Sequence, residues 1–312
     1  MRAKVITVLV GIALTLAAAE GAVRVIGDGL PTGTRWPSVE TDVKFHQLSD
    51  LTEADVVFLG SSITEAAIDP VVLVEESGID SAFNSGIPFS TPFSNEWWLN
   101  QVVLSSLRPE LVVIGLTPWS GGAGVSGDPL LPGLRSAPST EKAHWSALVE
   151  RAGLLSEWDT RSTEDRTRDF ITDLGHQTGY YDRSIDDAQP LDLPFGPSVM
   201  PQDEADAVGR MIERLTVEGI ETMVLIEPGR YPGDDGSFDY DHYIESILTH
   251  AEDWGVPVVD TFHMDWERDM FADLAHFNRR GTEEFTSYIA RTIDGLWVDE
   301  IGQPAANAAD IA

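Results

Sequence analysis

Three residues carry the chemistry that can be read from this chain: Ser62, Asp273 and His276. Ser62 lies in "VVFLGSSIT" (Val56 to Thr64), where an apolar run meets a glycine, two serines and a threonine. Asp273 and His276 lie in "MFADLAHFNRRGTEEF", three residues apart. A serine hydroxyl is a poor nucleophile until a base takes its proton. An imidazole serves as that base when a carboxylate holds its tautomer and stabilises the imidazolium. A turn of three residues can bring Asp273 against His276. The chemistry expected is attack of Ser62 on a carbonyl, with acyl transfer at an ester. Each residue also has a plainer reading, Ser62 as a helix N-cap and His276 as a surface histidine. The three together favour catalysis.

The elements that must position them are legible as apolar runs. Val56–Leu59, Ala82–Phe83, Leu111–Leu116, Met223–Ile226 and Val256–Val259 are mostly continuous rather than alternating. That is the pattern of parallel strands covered on both faces. Helical stripes lie between them, around Trp98–Val103, Val208–Leu215 and Tyr243–Ala251, and a last one carries Phe285, Ile289 and Ile293. The expectation is a three-layer α/β/α domain on a five-stranded, mostly parallel, doubly wound sheet. Ligands of such sheets sit beyond the carboxyl ends of the strands. That rule selects Ser61, Ser62 and Thr64, then Asn84, Ser85 and Gly86, then Thr117 and Trp119, then Glu227 and Arg230, and finally Asp260 and His263.

At this point a family resemblance enters. "FLGSSIT" resembles the first sequence block of the SGNH, or GDSL-type, hydrolases, and "DLAHFNRRG" resembles their last, Asp-x-x-His. "FNSGIP" resembles the second block, and "VVIGLTPW" stands where the third belongs. The resemblance runs from about Asp55 to Ile293 and implies a flavodoxin-like SGNH fold. It implies Ser62 as nucleophile, His276 as base and Asp273 as its partner, with the Ser62 N–H in the oxyanion hole. The family's third block supplies an Asn after a Gly, whereas this chain has Gly115-Leu116-Thr117-Pro118. Gly86 and Thr117 are therefore the expected further oxyanion donors, with Asn95 as another substitute for the missing Asn. Phe89 occupies the position where some members carry the oxyanion glycine. Ser61 replaces the Asp of the first block, which points to a divergent, membrane-anchored branch. Asn84 and Trp119 are candidate substrate contacts. The activity implied is that of a serine esterase or O-acyltransferase on a small-molecule or glycan ester, with no cofactor and no metal. The alternative is an inactive module of the same fold that binds glycan or an envelope partner.

Composition narrows the classes further. The chain has 312 residues, with 52 acidic against 20 basic and a net charge of −32. Phosphate contacts need clustered Lys and Arg, so nucleic acid is excluded as a partner. There is no cysteine, which excludes disulfides and thiolate chemistry. Arg2 and Lys4 precede an uncharged run from Val5 to Ala19. That run fits a signal core and is shorter than the ~20 apolar residues of a spanning helix, although Gly21-Ala22-Val23 could lengthen it into an anchor. Residues 1–30 are thus expected to be a signal peptide or membrane anchor, placing the rest outside the cytoplasm. Residues 31–300 form the domain, and 301–312 a disordered tail. The domain is interrupted by an insertion at about 120–200, long enough to be a lid or binding elaboration. "YPGDDGSFDYD" lacks the closing Glu of a calcium loop.

Overall fold

In the computed structural model, residues 39–117, 170–187, 199–229 and 240–297 are described, together with three helical positions near the N-terminus, Gly11, Thr15 and Ala18. The N-terminal segment as a whole, most of the insertion and the tail lie outside the described residues, as do Trp119, Arg230 and most of the acidic "YPGDDGSFDYD" stretch. Among the described residues no helix is long and apolar enough to cross a membrane.

The sheet has five strands: β1 (Val56–Leu59), β2 (Ala82–Asn84), β3 (Leu111–Leu116), β4 (Glu221–Ile226) and β5 (Val258–Asp260). Their order is β2-β1-β3-β4-β5, and every neighbouring pair runs parallel. β1, β2 and β3 are buried throughout, which is why their sequences read as unbroken apolar runs.

Successive side chains point to opposite faces of a strand, and here the two faces feed two cores. Val57 and Leu59 pack with helices α1 (Val39–Asp50), α4 (Pro92–Trp98), α5 (Gln202–Glu218) and α6 (Tyr240–Trp254) through Leu48, Trp98, Val208, Met211 and Ile244. Val56 and Phe58 pack with α2 (Ser62–Ala67), α3 (Pro70–Glu76) and α7 (Arg279–Trp297) through Ala67, Leu73, Phe285 and Ile289. The result is the expected three-layer α/β/α sandwich on a parallel sheet with the flavodoxin-like strand order. Of the adjacent tryptophans, Trp98 is fully buried and donates its indole N–H to Ser85 Oγ at 2.8 Å, whereas Trp97 is half-buried. α4 continues through a π turn (Leu99–Val103) into a last turn, Leu104–Ser106.

The part of the insertion that is described, residues 170–187, has no strand of the sheet. It carries an isolated antiparallel bridge, Ile171 to Gln177, and a 3-10 turn at Ile185–Asp187.

Candidate active site

The region of Ser62 is built by a short helix that starts where β1 ends. Ser61 is its N-cap, and its Oγ accepts from the Ile63 N–H at 3.2 Å. The cap role therefore falls to Ser61. Ser62 stands at the first helical position, and its N–H has no acceptor among the described residues. Leaving the first N–H groups of a helix unpaired is intrinsic to helix geometry, and these donors point away from the helix end.

His276 sits in the loop before α7. Its Nε2 lies 2.9 Å from Ser62 Oγ, and its Nδ1 lies 3.0 Å from both oxygens of Asp273. Asp273 Oδ1 also accepts from the N–H groups of Ala275 (2.8 Å) and His276 (2.9 Å). Burial pushes the Asp273 carboxyl up, but its bond and charge interaction with His276, with those two N–H donors, outweigh this and hold it below its ordinary value. The loop is closed by the Phe271–Phe277 bridge, and Asn278 caps α7, its Oδ1 accepting from Gly281 N–H at 3.2 Å. The fold thus brings Ser62, His276 and Asp273 into one hydrogen-bonded chain at the carboxyl edge of the sheet.

The expected oxyanion and substrate contacts are arranged differently. The Gly86 N–H is bonded to Asn84 Oδ1 at 3.1 Å, so it is not free to meet an oxyanion. Asn84 is fully buried, and its Nδ2 donates to the carbonyls of Thr64 (2.9 Å) and Ile68 (2.8 Å). It ties the end of α2 to β2 and does not face a substrate. Thr117 is buried at the end of β3, with its hydroxyl oxygen sealed from solvent. Asn95 is 2% exposed on α4, and its Oδ1 is buried without a partner.

A different donor lies on the turn after β2. Phe89 is the sole non-glycine residue with positive φ among the described residues, at 61°. Its ring is 71% exposed, and its N–H has no acceptor among those residues. The turn holding it is bonded to the residue two before the nucleophile, through Ile87 N–H (2.9 Å) and Ser90 Oγ (2.6 Å) to Gly60 O. A left-handed conformation costs a residue with a side chain about 1–2 kcal/mol, and such strain concentrates at functional sites.

Two buried acid groups support the nucleophile helix from within. Glu227, at the end of β4, accepts from the Thr64 hydroxyl, and burial raises its carboxyl to about 8. Gly115 on β3 leaves room for this pair, since a Cβ there would sit 2.4 Å from Thr64 Oγ1 and 2.6 Å from Glu227 Oε1. Lys44 of α1 reaches across to Glu65 Oε1 at 3.2 Å and donates to Gly86 O. Burial raises Glu65 to about 7 and lowers Lys44.

A segment of the insertion covers the triad. Gln177 N–H bonds Glu65 O (3.0 Å), Asn84 N–H bonds Leu174 O (2.9 Å), and Ile185 N–H bonds Phe271 O (2.9 Å). Tyr181 Oη donates to Asp69 Oδ2 at 3.1 Å, and buried His176 lies 3.4 Å from the same carboxylate. Gly175, at φ 82°, passes so close to β2 that a Cβ would meet Asn84 O at 2.1 Å. The neighbouring residue Tyr180 stacks on His276, with ring centroids 4.1 Å apart and planes 10° from parallel. Neither Tyr180 nor Lys44 was signalled by the sequence, because each meets its partner only through the fold.

Asp260 and His263 form a separate couple at the end of β5. His263 Nδ1 lies 2.5 Å from Asp260 Oδ2 and Nε2 lies 3.2 Å from Asp241 Oδ1, tying β5 to the start of α6. Among the described residues, no group of three or more His, Asp or Glu is arranged to hold a metal ion.

No protein-family model and no curated protein sequence matches the chain. Solved structures similar to it include a lipase/acylhydrolase from Enterococcus faecalis, at 17% identity and TM-score 0.43, covering 78% of this chain and 96% of that one. A catalytic mutant of Axe2, an acetylxylan esterase from Geobacillus stearothermophilus, matches at 12% identity and TM-score 0.41, covering 82% and 97%. The inhibitor-bound aryl esterase of M. smegmatis matches at 13% identity and TM-score 0.42, covering 79% and 100%.

Proposed function

We propose that the chain is a serine ester hydrolase or O-acyltransferase of the SGNH type. The observation that carries this reading is the unbroken chain from Ser62 Oγ to His276 Nε2 and from His276 Nδ1 to Asp273. Ser62 Oγ attacks the ester carbonyl while its proton passes to His276 Nε2. The imidazolium that forms is stabilised by Asp273, which stays ionised. The tetrahedral oxyanion is received, in this reading, by the N–H groups of Ser62 and Phe89, which have no acceptor among the described residues. Such donors are worth about 3 kcal/mol each when aimed at the developing charge. Collapse expels the alcohol, which takes the proton from His276, and leaves an acyl-Ser62.

The acyl group then passes to water in an esterase, or to a sugar hydroxyl in a transferase. We assign the domain to the extracytoplasmic side, on the strength of the basic, then apolar, N-terminal segment. An acylated envelope glycan is a substrate that such a location presents.

The test is labelling by a fluorophosphonate, which reacts with activated serines. Wild type is expected to label and Ser62→Ala not to. Hydrolysis of a p-nitrophenyl ester should be lost in His276→Ala. A folded wild-type sample that neither labels nor hydrolyses the ester would sink the reading and leave a non-catalytic binding module. Adding a sugar alcohol acceptor and weighing the products separates transfer from hydrolysis.

A further inference from the structure

The segment that crosses the triad, residues 170–187, supplies a group that neither the first nor the last sequence block contains. Tyr180 lies face to face with His276, nearly parallel at 4.1 Å. A parallel contact of this kind is strengthened when one partner carries positive charge, because the ring face is the negative end of its quadrupole. His276 carries that charge only after it has taken the Ser62 proton.

Three further observations separate this stack from incidental packing. The Tyr180 hydroxyl has no hydrogen-bond partner among the described residues, so the ring and not the phenol makes the contact. The segment carrying it is fixed on both sides, by Gln177 N–H on Glu65 O before it and by Tyr181 Oη on Asp69 and Ile185 N–H on Phe271 O after it. Arg183 lies over the Tyr180 ring, with its guanidinium carbon 4.8 Å from the centroid. Among the described residues Arg183 has no carboxylate partner, whereas every other described arginine is ion-paired with one. Tyr180 thus contacts both the guanidinium of exposed Arg183 and the imidazole of His276.

We propose that Tyr180 is a positioning residue of the reaction. Its ring holds the imidazole of His276 in the plane that joins Ser62 to Asp273, and its face stabilises the imidazolium as the transition state forms. An interaction stronger in the transition state than in the ground state raises kcat and leaves KM nearly unchanged. This inference rests on the triad reading above.

The test compares Tyr180→Leu, Tyr180→Met and Tyr180→Phe in the full chain. The readouts are the second-order rate of fluorophosphonate labelling at Ser62 and the kcat and KM for a p-nitrophenyl ester. Loss of the aromatic face is expected to lower the labelling rate and kcat about tenfold, with KM within about twofold. Tyr180→Phe should restore the rates to within about threefold of wild type, which a role through the hydroxyl would not, while Leu and Met fill much of the same volume without an aromatic face. Thermal unfolding identifies any variant that has lost its fold, and Met serves where Leu does not fold. Wild-type rates in a folded Leu or Met variant overturn the inference, as does a Phe variant as slow as they are. Wild type that fails to label overturns the triad reading itself, which is a distinct outcome.

Discussion

Thr64 and Glu227 meet inside the domain, the hydroxyl of one donating to the carboxyl of the other. Thr64 is on the helix that presents Ser62, and Glu227 ends β4 on the far side of β3. The bond fastens the nucleophile helix to the middle of the sheet. The second carboxyl oxygen, Oε2, is buried without a partner.

That geometry predicts a pH-dependent stability. Burial raises Glu227 to about 8, so the folded state favours the protonated acid. Its contribution is full below the ordinary carboxylate value and is lost as pH rises through about 8. Glu227→Gln keeps the shape and cannot ionise. It should match wild type near pH 4 and exceed it by a few kcal/mol near pH 8, at roughly 1.4 kcal/mol per unit of pKa difference. Denaturant unfolding at the two pH values checks this, and an offset independent of pH would refute it.

The left-handed turn at Phe89 makes a second prediction. Glycine adopts this conformation without strain, so Phe89→Gly should raise stability by about 1 kcal/mol, read from the denaturation midpoint. Because the proposed oxyanion donor is the backbone N–H, labelling of Ser62 should persist in the glycine variant. Phe89→Ala keeps the strain and should lack the gain. A glycine variant that is folded but unlabelled would show that the ring, not the backbone, serves the reaction.

Lys44 and Glu65 form a buried pair beneath the nucleophile helix. Removing one member leaves a buried charge without a partner, at a cost of about 3–5 kcal/mol, whereas replacing both by apolar groups is often near neutral. Lys44→Met should thus destabilise severely, and the double variant with Glu65→Leu should recover most of the loss. A double-mutant cycle by chemical denaturation measures the coupling.

Asp273→Asn removes the carboxylate and leaves the size of the side chain. The imidazole then loses the acceptor that fixes its tautomer, and kcat should fall by about 10³–10⁴ with little change in KM. Steady-state ester hydrolysis checks it, and a loss confined to KM would move Asp273 from catalysis to substrate binding.

Much of the fold was legible because parallel strands buried on both faces leave unbroken apolar runs, and all five expected runs overlap strands, although β5 starts two residues later than its run, at Val258. The Asp273–His276 contact was legible because it closes within one turn. Ser62 was separable from the cap only in three dimensions, where Ser61 takes that role. Asn84 and Gly86 stand at the expected strand end, yet they turn inward and bond to each other and to α2. Sequence position at a strand end cannot tell a group facing the cleft from one holding the cleft's floor. Tyr180 escaped for another reason. It lies in a stretch without helical or strand periodicity, and its partner is nearly a hundred residues away.

The tight passage of Gly175 over the backbone of Asn84 has a practical consequence for anyone who wishes to pare this protein down. Residues 170–187 add no strand to the sheet, so a shortened chain without them would keep all five strands and lose Ile185 from one core. Such a minimal scaffold would nevertheless leave His276 bare on one side and open the end of β2 to solvent. The excursion is better regarded as a wall of the reaction chamber than as dispensable trim.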